Sequence, residues 1–340
     1  MRLLIVTQKV DKGDPVLGFF HRWIEEFARH CESLTVIALS VGDVQLPKNV
    51  TVLSLGKEVG TGKIVQVVRF FRFISTRHAS YDAVFVHMTS IWTILGFPVW
   101  KILGKRSYLW HEGYKRTMKL RLALLCVRKV FSATSKGLPF PSPKHIVVGH
   151  GIDTAFFSSS EDQERAPGFL CTVGRMTRIK HIEIILRSVA ELLALKRLLI
   201  IGGAVTAEDR KYQEEMVTLE HTLDIAEKVQ QRTLRQEEVV VELRRASLFV
   251  HASGGGLDKA LLEAMACECP VVSICEAAAS VLPTPCIATK QTFTRRMEEM
   301  LGKADAERRQ MGRELRRIVT ESHSLSRLIE RLVSEMDSGN

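Results

Sequence analysis

The 340-residue sequence has no C-x-x-C pair, no D-x-D triplet and no apolar run long enough to span a bilayer. Its seven cysteines (Cys31, Cys126, Cys171, Cys267, Cys269, Cys275 and Cys286) are odd in number and mostly set in apolar runs. A thiol there behaves as a small hydrophobe, so the chain reads as a protein of a reducing cytosol, not a disulfide framework. Cys267 and Cys269 lack the spacing of zinc ligands, and no metal site is expected. The longest apolar stretch, 91–103, is interrupted by Gly96, Pro98 and Lys101, whereas a spanning helix needs about 20 apolar residues. The apolar run at 3–6 is too short for the core of a secretory leader. With 10 Pro, 22 Gly and 46% hydrophobic residues, disorder and collagen-like repeats are excluded. A single core stops growing near 250–300 residues, roughly, so two domains are expected.

Acid is scarce in one place. Residues 61–130 hold thirteen Lys and Arg against two acids, Asp82 and Glu112, a net +11, while the other 270 residues carry 35 basic and 36 acidic side chains. The whole-chain charge of +10 therefore belongs to one segment and should describe one surface. By spacing, Lys115, Arg116 and Lys119 share a helix face, as do Arg69 and Arg72, and Phe71 and Phe73 flank Arg72. Basic amphipathic helices with aromatic residues suit anionic lipid surfaces, where each basic residue contributes ~1 kcal/mol. No recognition-helix, zinc or aromatic RNA-binding signature accompanies the charge, so nucleic acid is not the expected partner. A solvated basic face is the plain alternative.

Short apolar runs alternate with amphipathic stretches throughout. Strands are expected at 3–6, 34–38, 50–53, 83–86, 108–110 and 145–148, with helices at 19–30, 63–77, 91–103 and 115–128. The polar segment 158–166, ending at Pro167, reads as a linker. The pattern then restarts with strands at 169–173, 198–201, 248–250 and 270–273 and a weak one at 285–288. Helices are expected at 181–194, 207–222, 236–245 and 257–266, and from 295 the chain is nearly all helical. Such alternation implies an α/β chain with two doubly wound sheets, each able to bind a ligand outside the carboxyl ends of its strands. Two of them joined by a linker could face each other across a cleft.

Three motifs could carry chemistry. The first is V-G-R-M-T-R-I-K, in which Gly174 permits a tight turn while Arg175 and Lys180 can reach an anion at a helix start. Surface Arg and Lys near helix starts are also commonplace. The second is S-G-G-G-L-D-K-A-L-L-E-A-M-A-C, residues 253–267. Its glycines let backbone N–H groups approach a ligand, and Glu263 sits among apolar neighbours where a buried carboxylate needs a partner, for which a ribose diol would serve. An exposed Glu after a flexible turn is the alternative. The third is V-V-G-H-G-I-D-T-A-F-F, residues 147–157, which need be no more than a turn between domains.

In order and spacing, these motifs together resemble retaining glycosyltransferase family 4 of the GT-B fold: G-R-x(4)-K, H-G-I-D-x(3)-F and, most specifically, L-L-E-A-M-A-C-x-x-P-V-V. The run 3–18 is similar to that family's first strand and glycine-bearing loop. The resemblance implies two Rossmann-like domains facing across a cleft: an acceptor-binding domain at 1–157, a linker at 158–166, a nucleotide-sugar domain at 167–322, and a terminal helix at 323–340 packed back on the first domain. It implies transfer of a sugar, hexosyltransferase-like, from a nucleotide-diphosphate sugar to a glycan or lipid-linked acceptor, without cofactor or metal, in polysaccharide biosynthesis at the inner face of the cell membrane. Arg175 and Lys180 would hold the diphosphate and Glu263 the ribose. Gly255, Gly256, Leu257, Asp258 and Lys259 would meet the donor, and His111 and Asp258 would serve the reaction. Gly18, His87 and Gly151 would lie on the acceptor side, although a lone histidine such as His87 or His111 is more often structural. Two departures stand out. The family's E-x(7)-E pair has Gly255 at its first position, leaving Asp258 as the nearest acid, and Glu268 stands where glycine is usual after the Cys. Two rival readings follow: a degenerate sugar-nucleotide-binding protein without transferase activity, and another GT-B enzyme such as a nucleotide-sugar 2-epimerase.

Overall fold

Strand β1 (Arg2–Val10) is apolar on both faces through residues 3–6, all of them buried, the mark of a strand at the centre of a parallel sheet. The computed structural model describes residues 1–14, 16–160 and 164–338, so Pro15, 161–163 of the expected linker and 339–340 lie outside the described residues. The chain divides into two units, the first made of residues 1–151 and 325 onward, the second of 152–324.

In the first unit, β1 is followed by α1 (Phe19–His30), β2 (Ser33–Val41), β3 (Val50–Ser54), α2 (Lys63–Thr76), β4 (Ala83–His87), α3 (Ser90–Ile102), β5 (Arg106–Trp110), α4 (Met118–Leu125), β6 (Lys129–Ser132) and β7 (His145–Val147). The seven strands are parallel, in the order β3-β2-β1-β4-β5-β6-β7. One face of the sheet packs on α1, through Phe20, Trp23, Ile24 and Phe27. The other packs on α2, α3 and α4, through Phe70, Ile74, Trp92, Trp100, Leu120 and Leu124.

The second unit continues with β8 (Ala166–Val173), α5 (Ile182–Ala190), β9 (Arg197–Ile201), α6 (Ala207–Thr222), β10 (Val229–Arg232), α7 (Gln236–Arg245), β11 (Ala246–His251), α8 (Lys259–Ala266), β12 (Val271–Ser273), α9 (Phe293–Leu301) and α10 (Asp305–Ser322). Its five parallel strands run β10-β9-β8-β11-β12. The last helix, α11 (Leu325–Asp337), returns to the first unit. There Leu325, Leu328, Ile329, Leu332 and Met336 join the core around α1, and the Tyr108 hydroxyl donates to the Met336 carbonyl at 2.9 Å.

Several expectations are corrected. The division falls at 151/152 rather than after 157, because Ile152 and Phe157 lie in the second core and Ile152 N–H donates to His323 O at 2.7 Å. Residues 158–160 are bound to the second unit, with Arg244 donating to Ser158 O and Ser159 to Glu268, and β8 already begins at Ala166. The expected strand at 285–288 is a 3-10 turn, Thr284–Cys286, with one bridge from Ile287 to Ser273. Pro283 and Pro285 remove the N–H groups a ladder would need. Strands β6 and β10 were not expected. β10 is an edge strand, V-Q-Q-R, with little apolar signal.

In both sheets the order of strand addition reverses at one point, between β1 and β4 in the first and between β8 and β11 in the second. The loops after those strands flank the crevice in which open α/β sheets bind ligands.

Candidate functional site

In the second unit the loops after β8 and β11 meet. Gly174 N–H donates to Ile201 O at 2.9 Å and Met176 N–H to Gly203 O at 3.1 Å, tying the first loop to the end of β9. Gly202 takes φ +138°, and a Cβ there would collide with the Gly174 carbonyl, so only glycine allows this approach. The loop leaves Arg175 exposed. It then makes a 3-10 turn, Arg178–Lys180, and His181 (φ 48°) starts α5.

The glycine loop lies against that turn. Gly254 N–H donates to Ile179 O at 2.8 Å, and a Cβ on Gly254 would stand 2.9 Å from His181 Nε2. Ser253 Oγ accepts from Gly255 N–H at 3.3 Å, while the Cys275 thiol donates to the Gly255 and Gly256 carbonyls at 3.6 and 3.7 Å. Gly255 and Gly256 therefore present backbone and no side chain. The Leu257 side chain is buried in the second core, which leaves its backbone available to a ligand.

Asp258 is the hub. Its Oδ2 receives Lys180 Nζ at 2.5 Å and His251 Nε2 at 2.8 Å, and His251 Nδ1 lies 2.9 Å from Ser273 Oγ. Burial alone would raise the Asp258 carboxyl. The hydrogen bond from His251 and the charge of Lys180 outweigh it and hold the group well below the usual carboxylate range. One residue on, burial pulls the Lys259 ammonium down from the ordinary lysine value, and Glu263, one helical turn further along α8, opposes that. The half-buried Glu263 thus has a cation on its own helix face as well as any ligand it might take. Arg175 stands apart from this cluster and contributes to the lowered carboxyl of Asp209, whose main cause is hydrogen bonding from the Thr206 backbone.

Sequence reading missed His251 and Ser273. The signal for His251 was present, since it ends a strand (L-F-V-H) as His87 does, and His111 directly follows one. Ser273, 22 residues further on, has no local signature.

In the first unit the expected residues do not form a comparable cluster. His87 is buried in an aromatic nest, its ring 4.0 Å from Phe20 and nearly parallel to it, with Trp23 at 5.7 Å and its Nδ1 3.3 Å from Thr7 Oγ1. These contacts pack His87 into the first core. Gly18 is buried at the start of α1, its N–H donating to Asp14 O at 2.9 Å. Gly151 takes φ +68°, and a Cβ there would strike Leu328 of α11 and Trp23, so its place is also set by packing. His111 differs. Both ring nitrogens are shielded from solvent with no hydrogen-bond partner among the described residues, and burial lowers its pKa, favouring the neutral imidazole. Beside it, Glu112 accepts from Ala133 N–H at 2.7 Å and from the Thr134 hydroxyl at 3.0 Å, bracing the loop after β6. That loop and the segment before α4 line a pocket of about 540 Å³ whose lining includes Tyr114, Arg116, Lys136, Phe140 and His145 and no acid. Among the described residues no group of three or more His, Cys, Asp or Glu could hold a metal ion, and no helix is long and apolar enough to cross a membrane.

Residues 167–301, which contain the Lys180–Asp258 cluster, match the family model described as Glycosyl transferases group 1. A comparison with curated protein sequences gives no match. Among solved structures, the chain is similar to HepE of Anabaena in complex with UDP, with a TM-score of 0.77 at 14% identity over 99% of this chain and 100% of that one. A HepE complex with UDP-glucose scores 0.75 at 14% identity over 99% of each chain. Sucrose-phosphate synthase of Thermosynechococcus elongatus scores 0.80 at 14% identity, again over 99% of each chain. These likenesses establish the fold as that of GT-B glycosyltransferases, with two Rossmann-like units.

Proposed function

We propose that the protein is a retaining glycosyltransferase that moves a sugar from a nucleotide-diphosphate sugar to a glycan or lipid-linked acceptor. The observation that carries this reading is the meeting of Lys180, the 253–257 backbone and Asp258 at the switch point of the second sheet, within the stretch matched by the glycosyltransferase model. In this reading Arg175 and Lys180 take the diphosphate and Glu263 the ribose. Asp258, Lys259 and the backbone of 255–257 meet the sugar, in a donor site that needs no metal or cofactor. The bond from the anomeric carbon to the diphosphate oxygen breaks as the acceptor hydroxyl attacks the same face. The acceptor proton passes to the departing phosphate oxygen. The protein's part is to stabilise the growing phosphate charge and to position the acceptor. His111, as a neutral imidazole, would lie near the reacting sugar. The complexes of HepE with UDP and UDP-glucose support a nucleotide-sugar donor, and a hexose is the sugar we expect.

The first unit is the acceptor side in this reading, and segment 61–130 its contact with anionic lipid at the inner face of the cell membrane. Apolar residues stand exposed among its cations. Ile64 (82% exposed), Val65 and Val68 lie on α2 with Lys63 and Arg72. Met118 (66%), Leu122 and Leu125 (73%) form an i, i+4, i+7 stripe on α4, beside the exposed Lys115, Arg116, Lys119 and Arg121. Such a face suits shallow insertion into an anionic interface.

Titration calorimetry with UDP- and GDP-sugars, followed by assays of donor hydrolysis and of transfer to glycan and lipid-linked acceptors, tests the proposal. Binding of a nucleotide sugar followed by transfer supports it. Binding without turnover on any acceptor would leave the degenerate binding protein, a reading that Gly255 in place of an acid favours, and interconversion of the donor sugar would point to the epimerase.

A further inference from the structure

The ammonium of Lys180 is already spent. Its only hydrogen bond among the described residues goes to Asp258 Oδ2 at 2.5 Å, with both side chains about four-fifths buried. Asp258 in turn is anchored from the sheet. An ionised carboxylate only accepts, so His251 donates to it from Nε2. His251 Nδ1 lies 2.9 Å from Ser273 Oγ, which accepts from Cys275 N–H at 3.1 Å. This chain runs from the main chain through hydroxyl and imidazole to one carboxylate oxygen. The other oxygen, Oδ1, makes no hydrogen bond among the described residues. Asp258 is thus fixed through β11 and β12, whereas Lys180 is held at the end of a flexible four-carbon stem.

We propose that Asp258 is a latch on Lys180 that a diphosphate opens, and that the released carboxylate then accepts hydroxyls of the sugar attached to that diphosphate. The inference rests on reading this cluster as a donor site. No covalent bond changes: the ammonium exchanges a carboxylate partner for phosphate oxygens, and Asp258 stays on His251. A nucleotide alone must break the Lys180–Asp258 pair and leaves the carboxylate without a new donor. A nucleotide sugar breaks the same pair and supplies hydroxyls in return. The site therefore favours the loaded donor over the spent nucleotide, which helps product leave after transfer. It also gives Gly255 a rationale: the acid lacking at that position is supplied three residues later, from a carboxylate that doubles as counter-ion.

The test is titration calorimetry on the full chain with pyrophosphate, UDP, GDP, UDP-glucose and GDP-mannose, with thermal melting as a check on folding. Asp258→Asn is expected to bind pyrophosphate and the matching free nucleotide about tenfold tighter than wild type. It should also lose at least about tenfold of the preference for nucleotide sugar over nucleotide. His251→Ala should lose that preference without the gain, and His251→Gln, which retains an N–H donor, should restore part of it. In a Lys180→Met background the gain from Asp258→Asn should largely vanish. If Asp258→Asn binds diphosphates no tighter than wild type while Lys180→Met binds them more weakly, Asp258 merely positions Lys180 and the latch is overturned. If Lys180→Met binds them as well as wild type, or if neither wild type nor Asp258→Asn binds any probe, the donor-site reading fails and the latch with it.

Discussion

The two units use the same architecture, but the 61–130 segment of the first leaves most of its cations on the surface while the second pairs several of its own with acids. In the first unit the two acids of the 61–130 segment are bound elsewhere. Asp82 pairs with Arg2 at 2.6 Å, and Glu112 is bound to the backbone and hydroxyl of the loop after β6. Lys63, Arg72, Lys101, Lys115, Lys119 and Arg121 remain on the surface. In the second unit cations meet acids: Lys180 with Asp258, Arg178 with Glu215, Arg296 with Glu299, Arg309 with Asp305. Surface charges that stay hydrated attract a large anionic partner over a distance set by screening. Charges paired inside a loop junction answer only to a small anion that can enter and compete. The difference is one ground for the proposed docking surface and the proposed donor site, and it needs no motif.

Four experiments would break or sharpen that contrast. The largest effect is expected from Leu328→Ala, which empties a buried position that joins α11 to the first core. A loss of about 2–5 kcal/mol is expected for such a truncation. All four tryptophans (Trp23, Trp92, Trp100, Trp110) lie in the first unit, so fluorescence during urea unfolding reports on that unit alone. An unmoved midpoint would contradict the placement of α11. Next, Glu263→Ala is expected to weaken nucleotide binding at least about tenfold, ~1.4 kcal/mol, and unchanged affinity would reject its ribose role. Glu263→Gln serves as a control for the charge opposite Lys259.

A smaller effect per residue is expected at the surface. Replacing Lys115, Lys119 and Arg121 by Gln should lower affinity for vesicles containing anionic phosphatidylglycerol by ~1 kcal/mol per residue, and leave nucleotide affinity unchanged. Equal sedimentation with neutral and anionic vesicles would remove the membrane from the account. The smallest effect concerns pH. Burial holds His21, His111 and His145 of the first unit below the ordinary histidine value. The unfolded chain therefore binds protons first, and stability declines as pH falls below about 6.5. Asp258 in the second unit is lowered instead, so its contribution is present above the unfolded carboxylate value, about 4, and is lost only as pH falls below it. Urea unfolding at pH 7.5, 6.5 and 5.5, followed by tryptophan fluorescence, should show a falling midpoint for the first unit; a flat profile would argue against buried neutral histidines there.

Legibility in the sequence followed the strength of local pattern. Helix α1 is read at its actual bounds because Phe20, Trp23, Ile24 and Phe27 recur at helical spacing beside polar neighbours. The edge strand β10 was invisible because V-Q-Q-R buries little. Proline at 283 and 285 misled in the other direction, ending what looked like a strand. Within the site, the glycine loop and Lys180 could be read because both sit at strand-to-helix junctions. His251 carried a signal that was overlooked, and Ser273 and Gly202 carried none.

What the sequence determined by itself is local: the alternation of strands and helices, the confinement of the +11 charge to one segment, and the absence of an acid at position 255. These follow from side-chain periodicity and composition, which act over a few residues. What the tertiary structure decided is which distant groups meet. Lys180 and Asp258 are 78 residues apart and become partners because β8 and β11 are neighbours at the point where the strand order of the second sheet reverses. His87 ends β4 and His111 directly follows the neighbouring strand β5, with similar sequence surroundings. One became packing and the other was left without a hydrogen-bond partner among the described residues. The physical reason is that burial and hydrogen bonding depend on strand order and on the side chains that order brings alongside, and no local pattern encodes those neighbours.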